Sequence, residues 1–137
     1  MPSGAIIIFV TNMTDSGDYQ TLPFGPHEAK VFPTTQAMGA AAAKKAAEII
    51  HAAIRERGLA RVIVATGNSQ DDFIASLMKD DTVDWGKVEA FHMDEYLGLP
   101  DTHPASFRRW LKTRVVDVKS PARFHLIEGD AENIEEE

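Results

Sequence analysis

Short apolar runs alternate with longer amphipathic stretches along most of the chain. The apolar runs, rich in β-branched residues, predict buried strands at residues 5–10, 29–32, 61–65, 88–92 and 124–127. The stretches between the later runs have apolar residues at helical spacing and predict helices over residues 36–57, 71–78 and 105–115. Residues 11–26, rich in Thr, Asn, Asp, Gly and Pro, predict a loop.

Several positions refine this outline. Thr34 or Thr35 is expected to cap the first helix, and Gly58 to end it. The 61–65 run has almost no polar interruption, which indicates burial on both faces of a parallel sheet. Residues 128–137 hold six acids. They are either a solvated tail or the acidic first turn of another helix.

The alternation of strands and helices is typical of an α/β domain with a mostly parallel sheet. We therefore expect a three-layer, Rossmann-like fold. The 137 residues suffice for one domain. An apolar fraction of 44% and a charged fraction of 26% are those of a soluble globular protein.

The charge and cysteine counts narrow the classes of partner. A net charge of −7 argues against nucleic acid or an anionic membrane surface as the main partner, although one positive site could still bind an anion. The absence of cysteine excludes disulfides, a thiol nucleophile and thiolate metal sites. The first apolar run is too short to span a bilayer. We expect a cytoplasmic protein.

Two loops carry candidate chemistry, since ligands of open α/β sheets bind at the carboxyl ends of the strands. In the first loop, Thr66, Gly67, Asn68 and Ser69 lead directly into a helix, whose N-terminal N–H groups could hold an anion. The alternative is an ordinary turn in which Ser69 caps that helix.

The second loop follows the 88–92 strand and contains Asp94 and Glu95. A partly desolvated carboxylate there can act as a general base, whereas a surface or capping role is the alternative. His103 is expected to be a loop histidine without a catalytic role, and Phe107 and Trp110 are expected in the core. No metal site is predicted, because three histidines show no ligand spacing with another histidine or acid: His27, His51 and His125.

Residues 91–100 read Phe-His-Met-Asp-Glu-Tyr-Leu-Gly-Leu-Pro, and residues 103–107 read His-Pro-Ala-Ser-Phe. This stretch resembles the glucosamine-6-phosphate deaminase/isomerase family, which is related to 6-phosphogluconolactonases. Members carry Met-Asp-Glu-Tyr-x-Gly-Leu followed by His-Pro-x-Ser and an aromatic residue. The resemblance runs from about residue 29 to the C-terminus. It implies that residues 29–137 are the N-terminal part of the family domain, so that the fold is incomplete at its C-terminus, and that residues 1–28 are an extension.

The resemblance implies that an amino-sugar phosphate is converted from aldose to ketose with loss of ammonia, without a cofactor. Asp94 would be the base that moves a proton between C2 and C1. The phosphate loop would be formed by Thr66, Gly67, Asn68 and Ser69, and Glu95 would lie with the substrate-binding residues or shape the loop.

Two departures keep alternatives open. The family's phosphate loop reads Thr-Gly-Gly-Thr-Pro, whereas residues 66–70 read Thr-Gly-Asn-Ser-Gln. The family's second half, with its Asp-Gly-His segment, does not occur in these residues, so we expect a truncated chain that does not turn over alone. A lactonase-like hydrolase and a non-catalytic sugar-phosphate-binding domain are the alternatives, although Tyr96 favours the deaminase branch. A homo-oligomer is also compatible with the sequence.

Overall fold

The computed structural model describes residues 6–7 and 19–133. One sheet contains β1 (Ile6–Ile7), β2 (Gln20–Phe24) and β3 (His27–Val31) in the order β1-β3-β2. The second contains β4 (Ala60–Val64), β5 (Val88–His92) and β6 (Arg123–His125) in that order. The helices are α1 (Thr35–Arg57), α2 (Asp71–Leu77), α3 (Phe107–Leu111) and α4 (Asp117–Lys119).

The second sheet is parallel throughout, which confirms the predicted α/β class. Strand β4 pairs with β5 so that Val64 lies opposite His92, and β5 pairs with β6 so that Phe91 lies opposite His125. The carboxyl ends of β4 and β5 therefore lie side by side. The loops that follow them begin at the same edge of the sheet.

The core lies between one face of this sheet and the helices. Its strand residues include Ala60 and Val88, and its helical residues include Ile50, Ile74 and Leu111, all at most 4% exposed. Helices α1 and α2 approach closely at Gly39. A Cβ atom there would lie 2.7 Å from the backbone carbonyl carbon of Asp72, so only glycine permits this contact.

The opposite face of the sheet corrects one prediction. The 61–65 run was expected to be buried on both faces, but Arg61 is exposed and Ile63 is 69% exposed. Successive strand residues point to opposite faces. In the described residues, the helices that form the core cover the face of Ala60 and leave the face of Ile63 open.

The predicted loop over residues 11–26 is wrong at its end, because residues 20–24 form β2 in a hairpin with β3. Phe24 pairs with His27, so Gly25 and Pro26 make a two-residue turn. Gly25 has φ +59°, the conformation that glycine supplies at the first turn position. Pro23 is accommodated because β2 is at the edge of its sheet. Of the 5–10 run, only Ile6 and Ile7 fall within the described residues, and both are in a strand.

The first helix begins and ends as predicted. The Thr34 side chain accepts a hydrogen bond from the Ala37 N–H, and Gly58 ends α1 with φ +76°. The 105–115 helix starts later than expected, because Ser106 caps α3 and the two residues before it lie in a turn. A π-helical turn over Lys112–Val116 then joins α3 to α4.

The C-terminal acidic segment is described only as far as residue 133. Residues 128–133 form turns rather than a helix, and the remainder of the predicted tail lies outside the described residues. No helix within the described ranges is long and apolar enough to cross a membrane.

Candidate active site at the carboxyl edge of the parallel sheet

The two candidate loops leave the sheet next to each other. The Met93 N–H, immediately after β5, donates to the Val64 carbonyl at 3.2 Å, so the pairing of β4 and β5 extends to the start of both loops. Residues 66–69 and residues 94–95 therefore diverge from one point at the carboxyl edge. This is where open α/β sheets bind their ligands.

The loop after β4 is a tight turn that enters α2 through a 3₁₀ turn over Asn68–Gln70. Gly67 has φ +101°, which strongly favours glycine, and its carbonyl accepts from the Gln70 N–H at 2.9 Å. The predicted cap by Ser69 is wrong, since no side chain caps the 3₁₀ turn or α2. The Ser69 hydroxyl instead accepts from the Gln70 side-chain amide at 3.1 Å.

The charges near this loop are mixed. Asp71 and Asp72 lie in the first turn of α2 and oppose a bound anion. Arg114 lies 3.2 Å from Asp71 and partly offsets that charge. The exposed Asn68 and Ser69 side chains supply neutral polar groups at the turn. The loop therefore offers neutral polar groups to a ligand, and the described residues place no unpaired cation in this turn.

Asp94 is exposed, two residues beyond β5. Among residues 6–7 and 19–133, no donor lies within hydrogen-bonding distance of its carboxylate. A free carboxylate at this edge is available to accept a proton from a bound molecule.

Glu95 differs sharply from its neighbour. Its Oε1 accepts from the N–H groups of Tyr96 at 2.9 Å and Phe107 at 3.0 Å. Its Oε2 accepts from the Arg108 N–H at 2.7 Å and the Ser106 hydroxyl at 2.9 Å. Partial burial raises the pKa of Glu95, but the hydrogen bonds from Arg108, Phe107, Tyr96 and Ser106 outweigh it and hold the pKa below its ordinary value. All four donors belong to the protein and tie Glu95 to its own loop and to the start of α3.

His92 is a polar residue of this region to which the sequence assigned no role. It is buried at the end of β5, and its Nδ1 accepts from the Ile127 N–H at 3.3 Å. Its Nε2 is buried and has no hydrogen-bond partner among the described residues. Burial lowers the pKa of His92, against the opposing influence of the Glu95 and Asp94 charges, and so favours the neutral ring.

The turn after β6 braces the same region. Its Gly129 carbonyl accepts from the Gly98 N–H at 2.6 Å, and Asp130 pairs with the buried Arg108 guanidinium at 2.5 Å. A Cβ on Gly129 would lie 2.3 Å from the Tyr96 carbonyl oxygen. The Gly129-Asp130 turn therefore fits against the loop of Asp94 only because residue 129 is glycine.

The other residues considered in the sequence make ordinary structural contacts. The His103 Nδ1 accepts from the Ala105 N–H at 3.1 Å within an exposed turn. Phe107 is half-buried against the Tyr96 ring, with ring centres 4.8 Å apart, and Trp110 packs against the core. No group of three or more potential metal ligands occurs within the described parts of the chain.

A family model described as glucosamine-6-phosphate isomerases/6-phosphogluconolactonase matches residues 33–137. Among curated relatives, a glucosamine-6-phosphate deaminase of Bifidobacterium longum is 37% identical over 75 residues, covering 51% of this chain and 27% of that protein. The deaminase of an Arthrobacter strain is 31% identical over 112 residues, covering 78% and 42% respectively. The chain thus spans less than half the length of these relatives.

Solved structures share the fold. A 6-phosphogluconolactonase from Shewanella baltica superposes with a TM-score of 0.66 at 23% identity, covering 77% of this chain and 46% of that one. A monomeric glucosamine-6-phosphate deaminase gives 0.65 at 21% identity, covering 75% and 43%. These likenesses confirm the predicted Rossmann-like fold.

Proposed function

Since the chain belongs to the glucosamine-6-phosphate isomerase/6-phosphogluconolactonase family, we propose that its carboxyl-edge site takes part in isomerising and deaminating an amino-sugar phosphate such as glucosamine-6-phosphate. The observation that carries the proposal is the contrast between two adjacent acids. Asp94 has a free, exposed carboxylate at the edge, whereas Glu95 is fully engaged by protein donors.

Asp94 is proposed as the base that moves a proton between C2 and C1 of the sugar. A general base must be free to accept a proton and must be held near the reacting carbon. Asp94 meets the first requirement because its carboxylate has no hydrogen-bond partner among the described residues. It meets the second by its place between the β5 strand and the braced Tyr96–Gly98 segment. Ammonia and a ketose phosphate are the expected products.

The turn of Thr66, Gly67, Asn68 and Ser69 is proposed to hold the phosphate. It lies beside the start of the Asp94 loop, and its N–H groups are not used by any capping side chain. A fixed phosphate would set the position of the sugar carbons relative to Asp94. The family's longer members contain a further half, and catalysis is proposed for a polypeptide that includes it.

The test is ammonia release from glucosamine-6-phosphate by a polypeptide that contains residues 1–137 together with the remainder of a family domain. Asp94→Asn should lower the rate by about 10²–10⁴-fold, the usual contribution of a general base. Asp84→Asn is the matched control, because Asp84 is an exposed acid at the opposite edge that precedes β5. Unchanged deamination by Asp94→Asn would overturn the assignment of the base.

A lactonase-like hydrolase is the second candidate. The matching family model covers both activities, and the Asn68-Ser69-Gln70 sequence departs from the deaminase loop. The same samples should be assayed with 6-phosphogluconolactone. Lactone hydrolysis without ammonia release from any hexosamine phosphate would replace the deaminase proposal with this one.

A further inference from the structure

The Glu95 carboxylate uses its full capacity for hydrogen bonds within the protein. A carboxylate offers about four lone-pair positions. Four donors occupy them: the N–H groups of Tyr96, Phe107 and Arg108 and the hydroxyl of Ser106. A substrate hydroxyl could reach Glu95 only by displacing one of these partners.

These bonds join the loop after β5 to the start of α3. The Phe107 and Arg108 N–H groups belong to the first turn of α3 and have no partner within the helix. The following N–H, that of Arg109, donates to the Ser106 hydroxyl at 3.2 Å. That hydroxyl donates in turn to Glu95. A negative carboxylate also matches the positive end of the helical run that α3 begins.

Two further contacts extend the connection to the turn after β6. Gly98, three residues beyond Glu95, donates to Gly129. Arg108, whose N–H is held by Glu95, binds Asp130 through its side chain. The loop that carries Asp94 is thus held between α3 and this turn.

We propose that Glu95 is a positioning residue, which holds the Asp94 loop against the N-terminus of α3 and makes no contact with substrate. The importance of Asp94 itself rests on the proposed function. The connection through Glu95 does not, because it can be measured without substrate.

Amide hydrogen exchange of the 137-residue chain tests the connection directly. Glu95→Gln keeps the size of the side chain but replaces one acceptor by an NH₂ group that faces N–H donors. Loss of a helix cap of this kind should speed exchange at Phe107 and Arg108 roughly tenfold. The decisive reporter is Gly98, whose N–H bonds to Gly129 and not to Glu95.

If Glu95 positions the loop, exchange at Gly98 should also rise several-fold in Glu95→Gln. The matched control is Glu89→Gln, which removes a carboxylate bonded to Arg61 and His125 on the exposed face of the sheet. It should leave exchange at Gly98 unchanged. Faster exchange at Phe107 and Arg108 with no change at Gly98 would reduce Glu95 to a local helix cap and overturn the proposal.

Binding of glucosamine-6-phosphate, followed by NMR, separates this proposal from the proposed function. In a double-mutant cycle, the change in Kd caused by Asp94→Asn should shrink in the Glu95→Gln background, because a displaced Asp94 no longer meets the ligand. Fully additive effects of the two substitutions on Kd would contradict the positioning role of Glu95. Absence of binding together with faster exchange at Gly98 would overturn the proposed function and leave the positioning role of Glu95 standing.

Discussion

The two faces of the β4-β5-β6 sheet have the same backbone and opposite environments. On the covered face, Val88 and Ala90 are 0% exposed against the helices. On the open face, Ile63 is 69% exposed and Met93 is 55% exposed. The covered face therefore supplies most of the stability, while the open face presents apolar surface that adds little to it.

The polar side chains also differ between the two faces of the sheet. On the covered face, His92 is buried and lacks a partner for Nε2 among the described residues. On the open face, Arg61, Glu89 and His125 form a chain of contacts across three strands, at 2.7 Å and 3.1 Å. These exposed pairs contribute little, because solvent screens them.

The largest effect is expected for Leu111→Ala, in the core between the helices and the covered face. Leu111 is 0% exposed, so truncation should leave a cavity and cost about 2–5 kcal/mol in the free energy of unfolding. Urea denaturation followed by circular dichroism measures this loss. A loss below about 1 kcal/mol would mean that the helices do not hold this face as tightly as the structure shows.

A smaller loss is expected for Gly39→Ala, which pushes apart two of the helices that cover the face. At an unobstructed helix position, replacing glycine by alanine would raise the free energy of unfolding by up to about 1 kcal/mol. Here the contact with Asp72 should convert this gain into a loss of roughly 1–3 kcal/mol. Thermal unfolding measures the change. Gly86→Ala is the control, because its new Cβ would meet only a side-chain oxygen of Asp84. Equal stability of the two variants would contradict the close helix contact.

The pH dependence of stability should report the buried His92. Burial lowers the pKa of His92 in the folded state, so the unfolded state binds its proton first. Stability should therefore fall as pH decreases below the unfolded value of about 6.5. His92→Gln should flatten the dependence of the free energy of unfolding on pH between pH 7 and 5. An unchanged pH dependence in His92→Gln would show that His92 does not cause the loss of stability.

The smallest effect is expected for Ile63→Ala on the open face. An exposed side chain loses little on truncation, so the free energy of unfolding should change by less than about 0.5 kcal/mol. Binding of a hydrophobic dye should decrease, since apolar surface is removed. A loss comparable to that of Leu111→Ala would show that this face is covered in solution.

Local patterns predicted the strands, the helices and the family, because each depends on neighbouring residues. Apolar runs located β4 and β5 within one residue, and Thr34 and Gly58 were correctly expected to begin and end α1. The hairpin strand β2 was missed because its pairing with β3, rather than its own composition, makes it a strand. The start of α3 was placed too early, because residues 104 and 105 form a turn and Ser106 supplies the cap.

The sequence by itself determined which acids stand at the end of β5, since the run from Phe91 to Pro100 carries the family pattern. The family resemblance assigned the base to Asp94 and left Glu95 either with the substrate-binding residues or as a residue that shapes the loop. Only the tertiary structure showed that protein donors occupy Glu95, because these donors come from its own loop and from residues 106–108, brought near by packing of α3. Pairing and packing join distant segments, and such contacts decide which face of a strand is open and which carboxylate is free.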